Sequence, residues 1–192
     1  MKEGYTGTTA DTPKSIMFGA GTIHKGLKYA GGKWNFAESC IGATQKGSKL
    51  NIEPDRHTIE VDGALVPVKG LNIKTGEKAS MEINLVEVKK DMIKSALIGK
   101  EGTSQDNTYD LIESKPRIDA NDYFENIAFV GKNLEGKNII VILDNALCTS
   151  GFELEGKNKE EGVLKLKFEC HADLTSSLDT LPYHIYYPKT TA

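Results

Sequence analysis

Apolar and polar side chains alternate with a period of two along much of this chain. Leu50 and Ile52 alternate with Lys49, Asn51 and Glu53, and Ile59 and Val61 with Thr58, Glu60 and Asp62. Met81, Ile83 and Leu85 alternate with Glu82 and Asn84. Leu164, Leu166, Phe168, Cys170 and Ala172 alternate with Lys165, Lys167, Glu169 and His171. A period of two sends successive side chains to opposite faces of a strand, so each segment buries one face and wets the other. Helices need a period near 3.6, so these segments commit the chain to β-structure.

Other segments extend the pattern. Ile139 to Leu143 is continuously apolar, as for a strand central in a sheet or buried on both faces. Strands are also predicted over Ile127–Leu134, with a turn at Gly136-Lys137, and over Tyr183–Tyr187. Ile16–Tyr29 reads as a first strand with a turn or bulge at Gly19-Ala20-Gly21, then a loop at Gly31-Gly32 before Trp34 and Phe36. Asp62-Gly63 lies between two apolar runs and predicts a tight hairpin, because both residues accept positive φ at low cost. Pro67 cannot donate to a ladder, so the return strand is expected to be edge or bulged there. Thr75 to Lys78 reads as the turn before Met81.

One helix is expected, over about 89–98. Val88, Met92, Ala96, Ile93 and Leu97 share a stripe, Lys89, Lys90 and Lys94 lie outside it, and Gly99 stands where a C′ glycine would stop it. Residues 101–121 are polar, carry Pro116 and read as the least structured excursion. Residues 1–14 are Gly/Thr-rich and read as a flexible arm suited to adding as a strand onto a neighbour. The expected fold is mainly β: a β-sandwich or partly rolled barrel over 15–192, with one packed α-helix.

At 192 residues the chain can bury roughly 70% of its unfolded surface, so it needs no disulfide or metal to fold. A formal charge of −3 does not advertise a basic nucleic-acid face. The first fifteen residues lack an apolar leader core, and no window approaches the roughly 18–20 apolar residues of a membrane span. Cys40, Cys148 and Cys170 are odd in number and widely spaced, as expected of reduced thiols in a cytoplasm.

Catalytic patterns are weak. Gly19-Ala20-Gly21 would need a third glycine at position 24, which is His24, and no helix pattern follows. Asp119, Asn121 and Glu125 have a spacing only faintly like a calcium loop, and Phe124 stands where its glycine belongs. His24, His57, His171 and His184 show no metal-ligand spacing and read as surface or interface histidines. Cys148-Thr149-Ser150-Gly151 reads as a turn rather than a nucleophile elbow. No catalytic residue, metal or cofactor is expected.

Gly42-Ala43-Thr44-Gln45, the Pro54-Asp55 segment, Ile59 to Gly63 and Pro67-Val68-Lys69-Gly70 resemble the major tail tube proteins of tailed bacteriophages and prophages. The likeness continues through the strand-then-helix unit at Met81–Gly99 and ends in Pro182 to Pro188. The resemblance implies a structural subunit of the virion tail, assembled in the bacterial host cytoplasm. Its hexameric rings would stack into a tube that conducts DNA during ejection without binding it specifically. It implies tail initiator or baseplate, terminator and tape-measure proteins as partners, and no membrane. On that reading Asp55, Arg56, His57, Glu60, Asp62, Gly63 and Pro67 are candidate contacts between subunits and rings. Glu60 and Glu82 are candidates for an acidic lumen; with 24 Lys and Arg in the chain, such a lumen must be selectively acidic. A tube subunit of a phage-tail-like bacteriocin or of a contractile secretion or injection apparatus is the close alternative. A β-sandwich module binding carbohydrate or protein is the rival class. Its platform would be Trp34, Tyr183, Tyr186 and Tyr187, although Tyr183 and Tyr187 share a face with Ile185 and so read as core.

Overall fold

Strand pairing organises the chain around one antiparallel sheet. The computed structural model describes residues 7–156, 158–175 and 177–189. In chain order the elements are α1 (Thr12–Ser15), β1 (Met17–Lys25), β2 (Tyr29–Ala30), β3 (Lys33–Trp34), α2 (Phe36–Ser39), β4 (Thr44–Thr58) and β5 (Asn72–Leu85). Then come α3 (Lys90–Leu97), β6 (Gly99–Gly102), β7 (Leu111–Ser114), a 3-10 turn (Ala120–Asp122), β8 (Phe124–Asn133) and β9 (Asn138–Cys148). The chain closes with β10 (Leu154–Glu155), β11 (Val163–Cys170) and β12 (Tyr183–Tyr186). The fold is mainly β, as expected.

The large sheet runs β1-β8-β9-β11-β5-β4, and β10 and β12 pair beside β11 and β9. It forks at β9. One edge of β9 pairs with β12 over Ile140–Leu143 and with β11 over Ala146–Cys148. The sheet also rolls: the Ile41 N–H donates to the Ile23 carbonyl at 3.0 Å, so the segment leading into β4 meets β1. The enclosed face holds Ile23, Met81, Ile83, Leu85, Phe124, Ile127, Leu143, Leu164, Leu166 and Phe168, with Met92 and Ala96 of α3 packed onto it. The other face of β8 and β9 carries Ala128, Val130, Ile140 and Ile142 beneath Leu27, Trp34 and Phe36. The apolar run of β9 is thus buried on both faces.

Several expectations need correction. The helix is only the eight residues Lys90–Leu97, and Val88 lies outside it, exposed. Its left-handed stop is Ile98 (φ 48°, ψ 47°), not Gly99, and the Ile98 N–H reaches the carbonyls of Lys94 and Ser95. Gly99 opens β6, where a Cβ would stand 3.0 Å from the Glu113 carbonyl oxygen. Thr75–Lys78 is not a turn but part of β5, paired with β4 through a bulge at Asp55/Arg56. The excursion is ordered by local chemistry. β6 and β7 pair as a hairpin, and Asp119 and Asp122 cap the 3-10 turn reciprocally. Lys115 Nζ bridges Asp119 at 2.7 Å and Asp122 at 2.5 Å. Of the N-terminal arm, residues 1–6 lie outside the described residues. Thr12–Ser15, with Pro13 in its first turn, forms one helical turn rather than a strand. Ile185 and Tyr187 are exposed, so only Tyr183 of that face joins the core.

The bulge in β1 follows expectation. Pairing with β8 slips between Phe18 and Thr22, and Gly19 and Gly21 take φ of 96° and 69°.

Candidate functional site

The feature that stands out is an arm made by β4, β5 and the loop between them. The inner half of β5 alternates buried and more exposed positions, because β11 continues the sheet beside it, while the inner half of β4, at the edge, alternates half-buried and exposed ones. Beyond Ile52 the support ends. Every residue from 53 to 70 is exposed, and β4 pairs only with β5 there. As an edge strand, β4 accommodates Pro54, whose missing N–H costs no internal ladder bond. The base of the arm is tied down: Tyr183 Oη donates to Glu77 Oε1 at 3.2 Å, and Lys74 pairs with Glu77 at 2.8 Å.

Strand pairing ends at Thr58 opposite Asn72, where Thr58 Oγ1 donates to Asn72 Oδ1 at 2.6 Å. The alternation at Ile59 and Val61 therefore does not make a strand, and Pro67 lies in the loop rather than in a return strand. The loop is closed by the Ile59 N–H donating to the Leu71 carbonyl at 2.8 Å. Asp62-Gly63 forms a turn with the Ala64 N–H on the Val61 carbonyl at 3.1 Å. Of its two central residues only Gly63 has positive φ, 87°, so it is not the primed hairpin turn expected. The loop curls round an open hollow of about 400 Å³ lined by its own residues.

The arm brings together Asp55, Arg56, His57, Glu60, Asp62, Gly63 and Pro67. Sequence reading missed its apolar tip. Leu65 is 99% and Val66 71% exposed, with Ile59, Val61, Val68 and Ile73 exposed along its length. The signal was present in Ala64-Leu65-Val66-Pro67-Val68, which reads equally as a buried strand when its partner is unknown. Glu82 is elsewhere, on the wet face of β5, in register with Lys49 of β4 on one side and Lys167 of β11 on the other. Two lysines flank that carboxylate, so the wet sheet face is mixed in charge rather than selectively acidic.

The remaining polar constellations serve structure. His24 is 2% exposed, contrary to its reading as a surface residue. Ser39 Oγ donates to the Asn35 carbonyl, so it accepts from His24 Nδ1–H at 2.9 Å. Thr22 Oγ1 lies 2.8 Å from Nε2 and 3.5 Å from the Val130 carbonyl, so its one proton goes to the shorter contact and Nε2 accepts it. Burial pushes the His24 pKa down. Asp144 pairs with His184 Nε2 at 3.1 Å, and burial nevertheless lifts its pKa. Burial also pushes the Cys170 thiol up to about 12, and its Sγ donates to the Asp144 carbonyl at 3.2 Å. The carboxylates of the would-be calcium loop are committed: Asp119 to its cap and Lys115, Glu125 to Lys28 at 2.8 Å. Among the described residues no group of three or more His, Cys, Asp or Glu converges to hold a metal, and no helix is long and apolar enough to cross a membrane.

Trp34 does not present a flat platform. Tyr29 and Tyr186 cross it at 62° and 74°, with centroids 5.3 and 5.0 Å away, and Phe36 stacks on it. These rings satisfy one another over the outer cluster, and Tyr183 is turned to the core.

Neither a known family model nor a curated protein matches the chain.

Proposed function

We propose that the chain is a structural subunit that assembles with copies of itself, closing into hexameric rings that stack into a hollow tube. The observation that carries this reading is the arm. It holds an apolar tip in water on a two-stranded stalk, although apolar side chains grouped on an exposed element favour a contact that covers them. The outer strands of the sheet add to it. β1 and β4 end the pairing order; Cys40 and Ile41 already pair with part of β1, so β4 has the freer edge, and such an edge pairs readily with a neighbouring chain. A heterologous contact repeated around and along an axis gives a closed ring and an open filament.

On this reading the lumen conducts DNA in a phage tail; the wet face of β4, β5 and β11, where Glu82 lies between Lys49 and Lys167, does not supply a selectively acidic wall. The tube of a bacteriocin or injection apparatus would use the same contacts. The role is structural rather than catalytic.

The register suggests the test. Residues 59–71 are replaced by Asn-Gly, joining Thr58 to Asn72 where they already pair. Negative-stain microscopy of concentrated wild-type protein is expected to show tubes of uniform diameter. The loop-replaced protein should keep its circular dichroism and form none. Tubes from the replaced protein, or a wild type that stays monomeric under every condition that assembles tubes of this class, would remove the proposal's support.

A further inference from the structure

We infer that Asp62 is a site of spontaneous covalent modification, isomerising through a succinimide to isoaspartate at the tip of the arm. The inference concerns the chain's own chemistry and does not depend on tube assembly.

The reaction needs the amide nitrogen of the following residue to reach the side-chain carboxyl carbon. That approach is hindered by any Cβ on the following residue, and Asp62-Gly63 is the single Asp-Gly or Asn-Gly pair in the sequence. A Cβ built on Gly63 would meet nothing within 4 Å, so no neighbouring group braces the peptide. The turn is held by the Ala64 N–H on the Val61 carbonyl, which leaves the Gly63 nitrogen outside that bond. Among the described residues no hydrogen bond or ion pair restrains the Asp62 carboxyl group. Since all of 53–70 is exposed, rotating this peptide into reach disturbs no packing.

Every other aspartate and asparagine is followed by a residue with a Cβ, and several are also restrained. Asp119 and Asp122 are locked in their reciprocal cap, and Asp144 is held by His184. Asn126 and Asn133 are buried and hydrogen-bonded to the backbone of distant segments.

The step balances without a co-reactant. The Gly63 nitrogen bonds to the Asp62 carboxyl carbon, its proton and a carboxyl hydroxyl leave as water, and a five-membered imide forms. Water then returns. Attack at the side-chain carbonyl restores aspartate. Attack at the main-chain carbonyl leaves the chain running through the β-carbon, with one more methylene in the backbone and no change in mass. A longer backbone between Val61 and Ala64 breaks the turn's hydrogen bond, so the arm tip acquires a second shape, which reverts only by closing the imide again.

The test uses the full chain incubated in neutral buffer at physiological temperature. The incubated chain is digested with trypsin, isoaspartate is then labelled in the peptides with protein isoaspartyl methyltransferase and labelled S-adenosylmethionine, and the peptides are separated at acid pH. Cleavage after Arg56 and Lys69 releases a peptide from His57 to Lys69 in which Asp62 is the only aspartate and there is no asparagine. Label should accumulate with time in that peptide ahead of all others, and Asp62→Glu should abolish it there, because glutamate would have to close a six-membered ring. Label that appears in this peptide only when the chain is held in urea would overturn the inference. So would equal labelling of Asp62→Glu, or faster labelling elsewhere in the folded chain. The variant changes an exposed loop residue, and an unchanged thermal melt verifies that it folds.

Discussion

His24 Nδ1 lies 2.9 Å from Ser39 Oγ, locking one histidine tautomer between the edge strand β1 and the one-turn helix α2. The hydroxyl is already donating to Asn35, so the ring must supply the proton to this bond. The other ring nitrogen accepts from Thr22. The pocket is therefore built for neutral imidazole.

That geometry fixes the sign of a pH effect. Burial lowers the folded-state pKa of His24 below its unfolded value of about 6.5. Above that value both states hold neutral imidazole and the full stability is present. As pH falls below about 6.5 the unfolded chain takes up the proton first, and stability drops until the folded pKa is passed. Urea unfolding at a series of pH values should show this loss. His24→Gln should flatten it across the same window, whatever its effect on overall stability. An unchanged pH slope in the variant would place the titration elsewhere.

The two glycines of the β1 bulge should respond differently to alanine. Both have positive φ, but only Gly21 is crowded. A Cβ there would stand 2.5 Å from the Phe129 ring and 2.9 Å from the Val130 carbonyl oxygen, whereas at Gly19 it would meet nothing within 4 Å. Gly21→Ala is expected to destabilise by about 2–4 kcal/mol, from backbone strain and overpacking together. Gly19→Ala carries the strain alone, at roughly 1 kcal/mol after the gain from a stiffer unfolded chain. Chemical denaturation of the two variants measures the difference, and equal losses would refute the packing argument.

Lys115 should control the local order of the segment after α3. Its side chain is 13% exposed and holds both carboxylates of the 3-10 cap. Lys115→Met removes the charge while keeping most of the stem, and leaves Asp119 and Asp122 repelling each other. Amide exchange is expected to accelerate over residues 111–122 while β9 and β11 stay protected. Unchanged exchange there would mean that the β6–β7 pairing alone orders the segment.

Strand identity was legible wherever alternation coincided with a partner on both sides. Met81, Ile83 and Leu85 of β5 and Leu164, Leu166 and Phe168 of β11 were read from period two alone, and they face one another in register in the core. The same pattern at Ile59 and Val61 misled, because alternation is a property of a few neighbouring residues whereas a strand needs hydrogen-bonding partners supplied from far along the chain. Beyond Ile52 no third strand supports the pair, beyond Thr58 the pairing itself ends, and the loop stays in water. The arm's charged residues were likewise readable as one segment, but their separation from Glu82, and its place between Lys49 and Lys167, were set by cross-strand register.

By itself, then, the sequence determined the β character, the glycine bulge of β1 and the site of the main helix, all of which rest on local sterics and periodicity. Tertiary structure decided what those elements meet. It buried His24 by bringing β1 against α2, and gave Ile98 the left-handed conformation usually left to glycine because β6 must leave the helix there to pair with β7. It also left Leu65 and Val66 uncovered. Burial and exposure depend on contacts between residues tens of positions apart, and no local pattern of side chains encodes which of those contacts will form.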